Sequence, residues 1–432
     1  MRLRLSANEL GNVIMMMFFG TFYYIPILMP STEGIAAVQS QADQNAGVAR
    51  ILLFGLWACI SFQLFRARFQ IRYDLFAARC AIAYACFGAV SALWCSHPAS
   101  ALSTGFQVLM ASLYAIYLVS RFSYERLLIM LSWVVMILAV LSAIFAIALP
   151  QYGQDHFSNA GAWQGVFAQK NSLSVVMIYG ISIVMALRCT NFADRAWKYG
   201  LLLLCLLEAV MSQSREAWAI GLMMVALQVG FNLLSRLSVR SRATAIFLLF
   251  VSAAGAVILA VMNREAVLKL LGRDATLRGR TGLWIAVIQV CKQHLLNGVS
   301  IGSFWGTSAA SRIDMMVGWA PTSSHNGFLE ALLTLGLIGL SLLVSIFAIG
   351  YLSGLKIVTS QADFSKQALW MRFLFAISIF NLVQTTTGTP ASISWILFIG
   401  SACVLEANRD DSVVRIQEEQ FAEFQPAILT AG

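Results

Sequence analysis

The sequence predicts an all-α fold: a polytopic transmembrane helical bundle of about twelve spans, with a helical segment outside the membrane between spans nine and ten. Three observations carry this prediction. Of the 432 residues, 59% are hydrophobic and 11% charged, whereas an ordinary soluble domain is about a quarter charged. A water-soluble core cannot hide that much apolar surface, so lipid solvates part of it. Apolar runs of about 20 residues recur, each long enough to cross a bilayer as helix. Finally, Lys and Arg gather in alternate loops, the charge pattern of membrane topology.

The spans follow each other with short links, so residues 1–406 form one membrane domain. They lie near 10–30, 50–65, 75–95, 101–119, 127–149, 171–188, 198–212, 215–234, 243–262, 326–352, 371–387 and 391–406. The seventh and eighth are separated by Ser212–Gln213–Ser214 alone. The run from Leu10 to Pro30 has no small-residue cleavage site and reads as a retained first span rather than a signal peptide. Residues 407–432 read as a polar, acidic cytoplasmic tail.

Loop charge orients the bundle. Arg2 and Arg4 precede span one; Arg66, Arg68, Arg72 and Arg79 follow span two; Arg121 and Arg126 follow span four. Arg188, Arg195 and Lys198 follow span six, Arg236, Arg240 and Arg242 span eight, and Lys356, Lys366 and Arg372 span ten. The intervening loops, such as Ser96–Ser100 and Thr385–Ser392, carry almost none. Both termini are therefore expected in the cytoplasm. One outer segment departs from the rule. Asn263–His325 holds seven Lys or Arg against three Asp or Glu, a net of +4. Long loops translocate despite such charge. Within it, Thr281–Leu296 is amphipathic, with Trp284, Val287, Ile288, Cys291 and Leu295 on one helical face. The segment is expected to fold as a helical cap.

Several function classes fall away. The overall charge of +9 is spent in the loops, so nucleic-acid binding is not expected. Cys59, Cys80, Cys86, Cys95, Cys189, Cys205, Cys291 and Cys403 contain no CxxC pair and fall mostly in apolar spans, which excludes a disulfide framework and a thiolate metal site. No Asp-x-Asp and no His or Cys cluster at ligand spacing is present.

Three positions on the outer face stand out. Arg215 in SQSREAW starts one span, Arg280 in GRTGLW starts the amphipathic helix, and His325 in SSHNGFLE starts span ten. Helix N-termini favour anions, paired arginines grip a diphosphate through charge-assisted hydrogen bonds, and an imidazole with an ordinary pKa near 6.5 takes a proton at neutral pH. Each also has a plain structural reading. Arg215 suits a snorkelling interfacial side chain, Arg280 a solvated loop, and His325 a satisfied interfacial residue.

The ordered motifs weigh against the plain readings. FAQKNSLS precedes span six; GRTGLW is followed about a helix later by NGVSIGSFW; SHNGFLEALLTLGLIG reads as HN, nine residues, Gly, two residues, Gly. Between Phe167 and Gly339 this set resembles the O-antigen ligase and polysaccharide polymerase superfamily, and most of all its exopolysaccharide-polymerase branch. The resemblance implies a polyprenyl-diphosphate-linked glycan as donor on the periplasmic side of the bacterial inner membrane, an acceptor glycan, and no cofactor or metal. It assigns His325, Arg215 and Arg280 to catalysis: His325 as general base, the arginines on the diphosphate, with inversion at the anomeric carbon. Arg278 rivals Arg280 for the GR position, and Lys170 and Asn171 match a recurring KN pair. Together with Asn326 and Trp305 these are the substrate-binding candidates; Trp319, like Trp305, has the ring to stack on sugar. Glu330 and Asp314 stand behind His325 as alternative bases. The expected function is polymerisation of exopolysaccharide repeat units, with polysaccharide export machinery as a partner. A ligase moving finished glycan onto lipid A core shares the same donor chemistry. A glycolipid transporter or flippase predicts paired broken helices and internal symmetry, and neither is evident in the sequence.

Overall fold

A computed structural model describes residues 4–20, 53–156, 159–167, 169–262, 280–388 and 392–409. They are almost wholly helical. The helices are α1 (Ala7–Gly20), α2 (Leu53–Ala67), α3 (Phe76–Val90), α4 (Pro98–Arg121), α5 (Tyr124–Ala148), α6 (Lys170–Ala186) and α7 (Phe192–Met211). They continue as α8 (Arg215–Ser235), α9 (Val239–Met262), α10 (Arg280–Gln293), α11 (Ser308–Val317), α12 (Gly327–Ser360), α13 (Gln367–Val383) and α14 (393–409). Every apolar segment of the sequence overlaps one of these helices, in order. The second half of the first segment lies outside the described residues. Phe76–Trp94, α4, α5, α8 and α12 are each long and apolar enough to cross a bilayer, and α2, α6 and α13 are shorter apolar helices. This is an all-α, multi-pass membrane protein.

Helix ends differ from the apolar boundaries where polar side chains set them. α7 starts six residues before its apolar run because the Asn191 side chain accepts from the Asp194 amide at 2.7 Å and so satisfies an orphan donor of the first turn. α14 continues past Glu406 to residue 409, and the rest of the polar tail lies outside the described residues. A two-stranded antiparallel ladder, Gln154–Asp155 against Ala162–Trp163, precedes α6; the sequence held no alternating pattern long enough to announce it.

The chain divides into two compact units. The first comprises Met1–Tyr73, Met110–Gln228 and Thr389–Gly400. Its centre is α5, buried along most of its length and packed by α1, α6 and α7. Gly180 of α6 permits this closeness: a Cβ there would lie 2.5 Å from Cys205 Sγ and 2.7 Å from Val135. Glu9, which also accepts from the Ser6 amide and hydroxyl, forms an ion pair with Arg126.

The second unit comprises Asp74–Leu109, Val229–Gly388 and Ser401–Gly432. Here α12 is the hub, packed by α3, α9, α10 and α13. Two charged groups, one assigned by sequence to a loop and one to the end of the twelfth apolar segment, are structural. Arg242 is 3% exposed and donates to the carbonyls of Ser235, Leu237, Val358, Gln361 and Ala362, with its guanidinium over the Phe364 ring. Glu406 accepts from the amides of Phe76 and Ala77 at 2.8 and 2.9 Å. It thereby caps α3, whose own N-cap residue, Leu75, has no side chain able to do so.

α12 is broken at Gly336, which has φ 62° and ψ −159°. The loop before α11 repairs the break. Leu337 and Ile338 donate to the carbonyls of Leu295 and Leu296, while the amides of Val299 and Ser300 donate to Leu333 and Thr334. The backbone groups released by the break are thus paired. One broken helix is present among the described residues, where none was evident from the sequence.

Candidate functional site

The described part of the segment between the ninth and tenth apolar runs, residues 280–325, folds around a core that it shares with Leu333 of α12. Leu283, Ala286, Val287 and Cys291 of α10 pack with Phe304, Ala310, Ile313 and Leu333. This corrects the expected face: Ile288 is 43% and Leu295 49% exposed. The buried stripe runs through Leu283, Ala286, Val287 and Cys291, and α10 ends at Gln293 before reaching Leu295. Burial, helped by the charge of Glu330, pushes the Cys291 thiol up to about 11, which makes it inert as a nucleophile at neutral pH.

Arg280 and Asn326 meet the same helix end. Arg280 opens α10, and its guanidinium Nη1 donates to the Val383 carbonyl at 2.8 Å. Asn326 caps α12, its Oδ1 accepting from the Phe328 and Leu329 amides at 3.0 Å each. Its Nδ2 donates to the neighbouring Leu382 carbonyl at 3.4 Å. Carbonyls in a last helical turn carry the negative end of the helix dipole and favour such donors. The glycine of HNG follows from what lies beneath it: a Cβ on Gly327 would fall 2.1 Å from Asn381 Oδ1. Asn381 is itself immobilised, accepting from the amides of Thr386 and Thr387 and from the Thr386 hydroxyl, and donating to Thr387 Oγ1 at 2.6 Å.

His325 stands beside this junction in a left-handed conformation, φ 51°, which is costly for a residue with a Cβ. The residue before it is clamped from two helices. The Ser324 amide donates to Glu330 Oε2 at 2.7 Å, its carbonyl accepts from Trp284 Nε1 of α10 at 3.0 Å, and its hydroxyl donates to the Asn326 carbonyl at 2.8 Å. The other oxygen of Glu330 accepts from Trp305 Nε1 at 2.8 Å. The His325 ring lies 5.5 Å from the Trp319 ring at 42°. The structure therefore brings Arg280, His325 and Asn326 together around the end of α13, with Glu330, Ser324 and Trp284 as the frame. Trp305 joins that frame: its Nε1 serves Glu330, and its ring meets Phe304 edge-on at 5.1 Å.

The remaining candidates lie elsewhere. Arg215, Lys170 and Asn171 belong to the first unit. Arg215 is exposed at the start of α8, directly after a tight turn in which Gln213 has φ 52°. Ser212 Oγ and Trp218 Nε1 both donate to the Ala209 carbonyl at 2.8 and 2.7 Å, fixing the turn from either side. Lys170 and Asn171 open α6, half-buried, and the Asn171 carbonyl accepts from Ser174 Oγ. Arg278 and the remainder of 263–279 lie outside the described residues. Asp314 is half-buried on α11, where its backbone carbonyl accepts from Gly318. Among the described residues no three His, Cys, Asp or Glu side chains gather as a metal site.

The framing role of Glu330 and Trp284 was the main element the sequence reading missed. Its one sequence trace is the position of Glu330, five residues after His325.

Known proteins resemble this chain. The O-antigen ligase family model matches residues 200–344, the stretch that holds Arg215, Arg280, His325 and Glu330. The exopolysaccharide production protein ExoQ of Rhizobium meliloti (strain 1021) is 28% identical over 292 residues, 63% of this chain and 64% of that protein. The alignment thus spans a little under two thirds of that relative's length. Through the family match and the relative, the chain is similar to the O-antigen ligase family over residues 200–344 and to an exopolysaccharide production protein over a longer stretch.

Proposed function

We propose that the protein joins exopolysaccharide repeat units by glycosyl transfer from a polyprenyl-diphosphate-linked glycan to an acceptor sugar hydroxyl, at the periplasmic face of the inner membrane. The observation that carries this reading is the junction at the end of α13. A guanidinium and a capping amide meet on adjacent carbonyls, one residue from a histidine held in a left-handed backbone.

In this reading the acceptor oxygen attacks the anomeric carbon from the face opposite the diphosphate. The new C–O bond forms as the C–O bond to the diphosphate breaks, so the configuration inverts. The hydroxyl proton passes to a ring nitrogen of His325, and the electron pair of the broken bond goes to the diphosphate oxygen. Arg280 and Arg215 offset that charge through charge-assisted hydrogen bonds; no metal takes part. Lys170, Asn171 and Arg278 contact the donor, and polysaccharide export machinery receives the product. The left-handed backbone at His325 supports the assignment, because strain of this kind persists where the surroundings over-determine it, as at functional sites.

The test is turnover by the purified full-length protein with lipid-linked repeat units. Wild type should lengthen chains in the presence of chelator, and His325→Ala should lose turnover while still binding donor. Near wild-type turnover by His325→Ala at normal expression rules out the base. Deleting the gene separates polymerase from ligase: single repeats accumulate in the first case, and intact polymer stays on polyprenyl diphosphate in the second. The ligase outcome is the second reading, favoured by the description of the matching family.

A further inference from the structure

A cavity lies in the same unit as Arg280 and His325, and neither residue lines it. It measures about 500 Å³, within the usual range of about 300–1,000 Å³ for small-molecule sites. Its walls come from α10, α11, the loop between them, and the end of the 3₁₀ segment Ser91–Trp94 with the turn that follows. Six side chains give it character: Trp94, Gln289, Gln293, His294, Thr307 and Arg312. We infer that this cavity is a subsite for the sugar chain itself, binding neutral or acidic glycan rings remote from the reacting centre. The inference rests on the glycosyl-transfer reading above.

Three features argue for carbohydrate. Trp94 is immobilised as a surface: its Nε1 donates to the Gly298 carbonyl at 3.2 Å, and its ring leans on Phe87 at 5.8 Å. It remains 37% exposed, so part of a rigid indole stays accessible. A tryptophan of the interfacial belt needs no polar company, whereas this one faces a polar wall. Gln289 and Gln293 form that wall. They stand four residues apart on one face of α10, both exposed, and each amide offers donors and an acceptor together, the complement of sugar hydroxyls. The lining also contains no Asp, Glu or Lys. Arg312 is its guanidinium, so neutral and acidic sugars are accepted, and a chain bearing amines is not.

Position completes the argument. Arg280 and Gln289 lie on one helix, nine residues and so about 13 Å apart along its axis. Nine residues is also about two and a half turns, so a glycan with its reacting ring near Arg280 reaches Gln289 by running partly around α10 as well as along it. Binding energy gathered there, away from the reacting bond, serves to hold the chain in register.

The experiment measures binding of two probes to the full-length protein in nanodiscs. One is a lipid-free oligosaccharide of two or three repeat units, made by partial hydrolysis of the source cell's polymer; the other is polyprenyl diphosphate without sugar. The oligosaccharide should bind wild type, and Trp94→Ala, Gln293→Ala and Arg312→Ala should each weaken it at least fivefold. Gln293 and Arg312 are exposed, so their variants fold even if Trp94→Ala does not. The same variants should leave polyprenyl diphosphate binding unchanged, while Arg280→Ala should show the reverse pattern. Equal oligosaccharide affinity in wild type, Gln293→Ala and Arg312→Ala overturns the subsite. So does competition by polyprenyl monophosphate that is itself lost in Gln293→Ala, because the occupant is then lipid. Cavity-dependent sugar binding by a protein that ignores polyprenyl diphosphate and transfers nothing leaves the subsite standing and overturns the glycosyl-transfer reading.

Discussion

Gly298 and Gly336 are fitted to each other's strands of backbone. A Cβ on Gly298, at φ 68°, would fall 2.4 Å from the Thr334 carbonyl, and one on Gly336, at φ 62°, would fall 2.3 Å from the Leu296 oxygen. Both atoms are backbone, so no rotamer change relieves either clash. The NGVSIG and LGLIG motifs are two halves of one joint: the break in α12 exists because the loop at 295–300 supplies the hydrogen bonds the helix gives up.

Gly298→Ala and Gly336→Ala should each therefore destabilise the protein by at least about 1–3 kcal/mol, the scale of a strained backbone conformation, before the clash is added. Thermal melts of the purified protein check this. The double variant should lose less than the two losses combined, because both act on one joint. Independent losses would refute the coupling.

Arg242→Ala should leave five carbonyls without their donor, at a cost of roughly 2–4 kcal/mol. Arg242→Lys should recover little, because one ammonium cannot reach the spread of acceptors that a planar fork spans. The readout is melting temperature and the yield of folded protein; a wild-type melt for Arg242→Lys would contradict the clamp.

Arg280→Lys is expected to cut turnover at least tenfold with normal protein levels. A lysine replaces the hydrogen bond to Val383 at most, and loses the paired geometry that holds two phosphate oxygens. Arg215→Ala should weaken donor binding as well as turnover. Donor affinity measured beside rate separates these outcomes, and unchanged donor affinity in Arg215→Ala would remove it from the clamp.

Glu330 is expected to act as a positioning residue for His325. Glu330→Gln keeps one acceptor but turns an amide toward the other donor, so either Ser324 or Trp305 loses its partner. Turnover should fall at least tenfold with donor binding intact. Trp305→Phe, which deletes the matching donor, should fall less, since it leaves the Ser324 bond in place. If Glu330→Gln matches wild type in rate and in its pH profile, the frame does not govern the histidine.

Reporter fusions at Arg68, Arg240 and Asn408 should all read cytoplasmic if loop charge orients the bundle. A periplasmic signal at any of the three would overturn the proposed topology.

The sequence alone determined the class of solvent and the order of the helices. Lipid demands long apolar runs and paired backbones, and those demands are local, so composition and run length reveal them. The motif residues His325, Asn326 and Gly336 were visible as an ordered pattern, although the reasons for the two glycines Gly327 and Gly336 lie in Asn381 and in the loop at 295–300, far along the chain. What tertiary structure decided was which distant groups meet. The Glu406 carboxylate caps a helix 330 residues away, Arg280 finds the end of α13, and Glu330 joins Trp305 to Ser324. Nothing in a one-dimensional pattern distinguishes Arg242, buried on five carbonyls, from the exposed Arg240 beside it. Burial and pairing depend on packing between segments far apart in the chain, and that packing is a property of the folded bundle, absent from any single stretch of sequence.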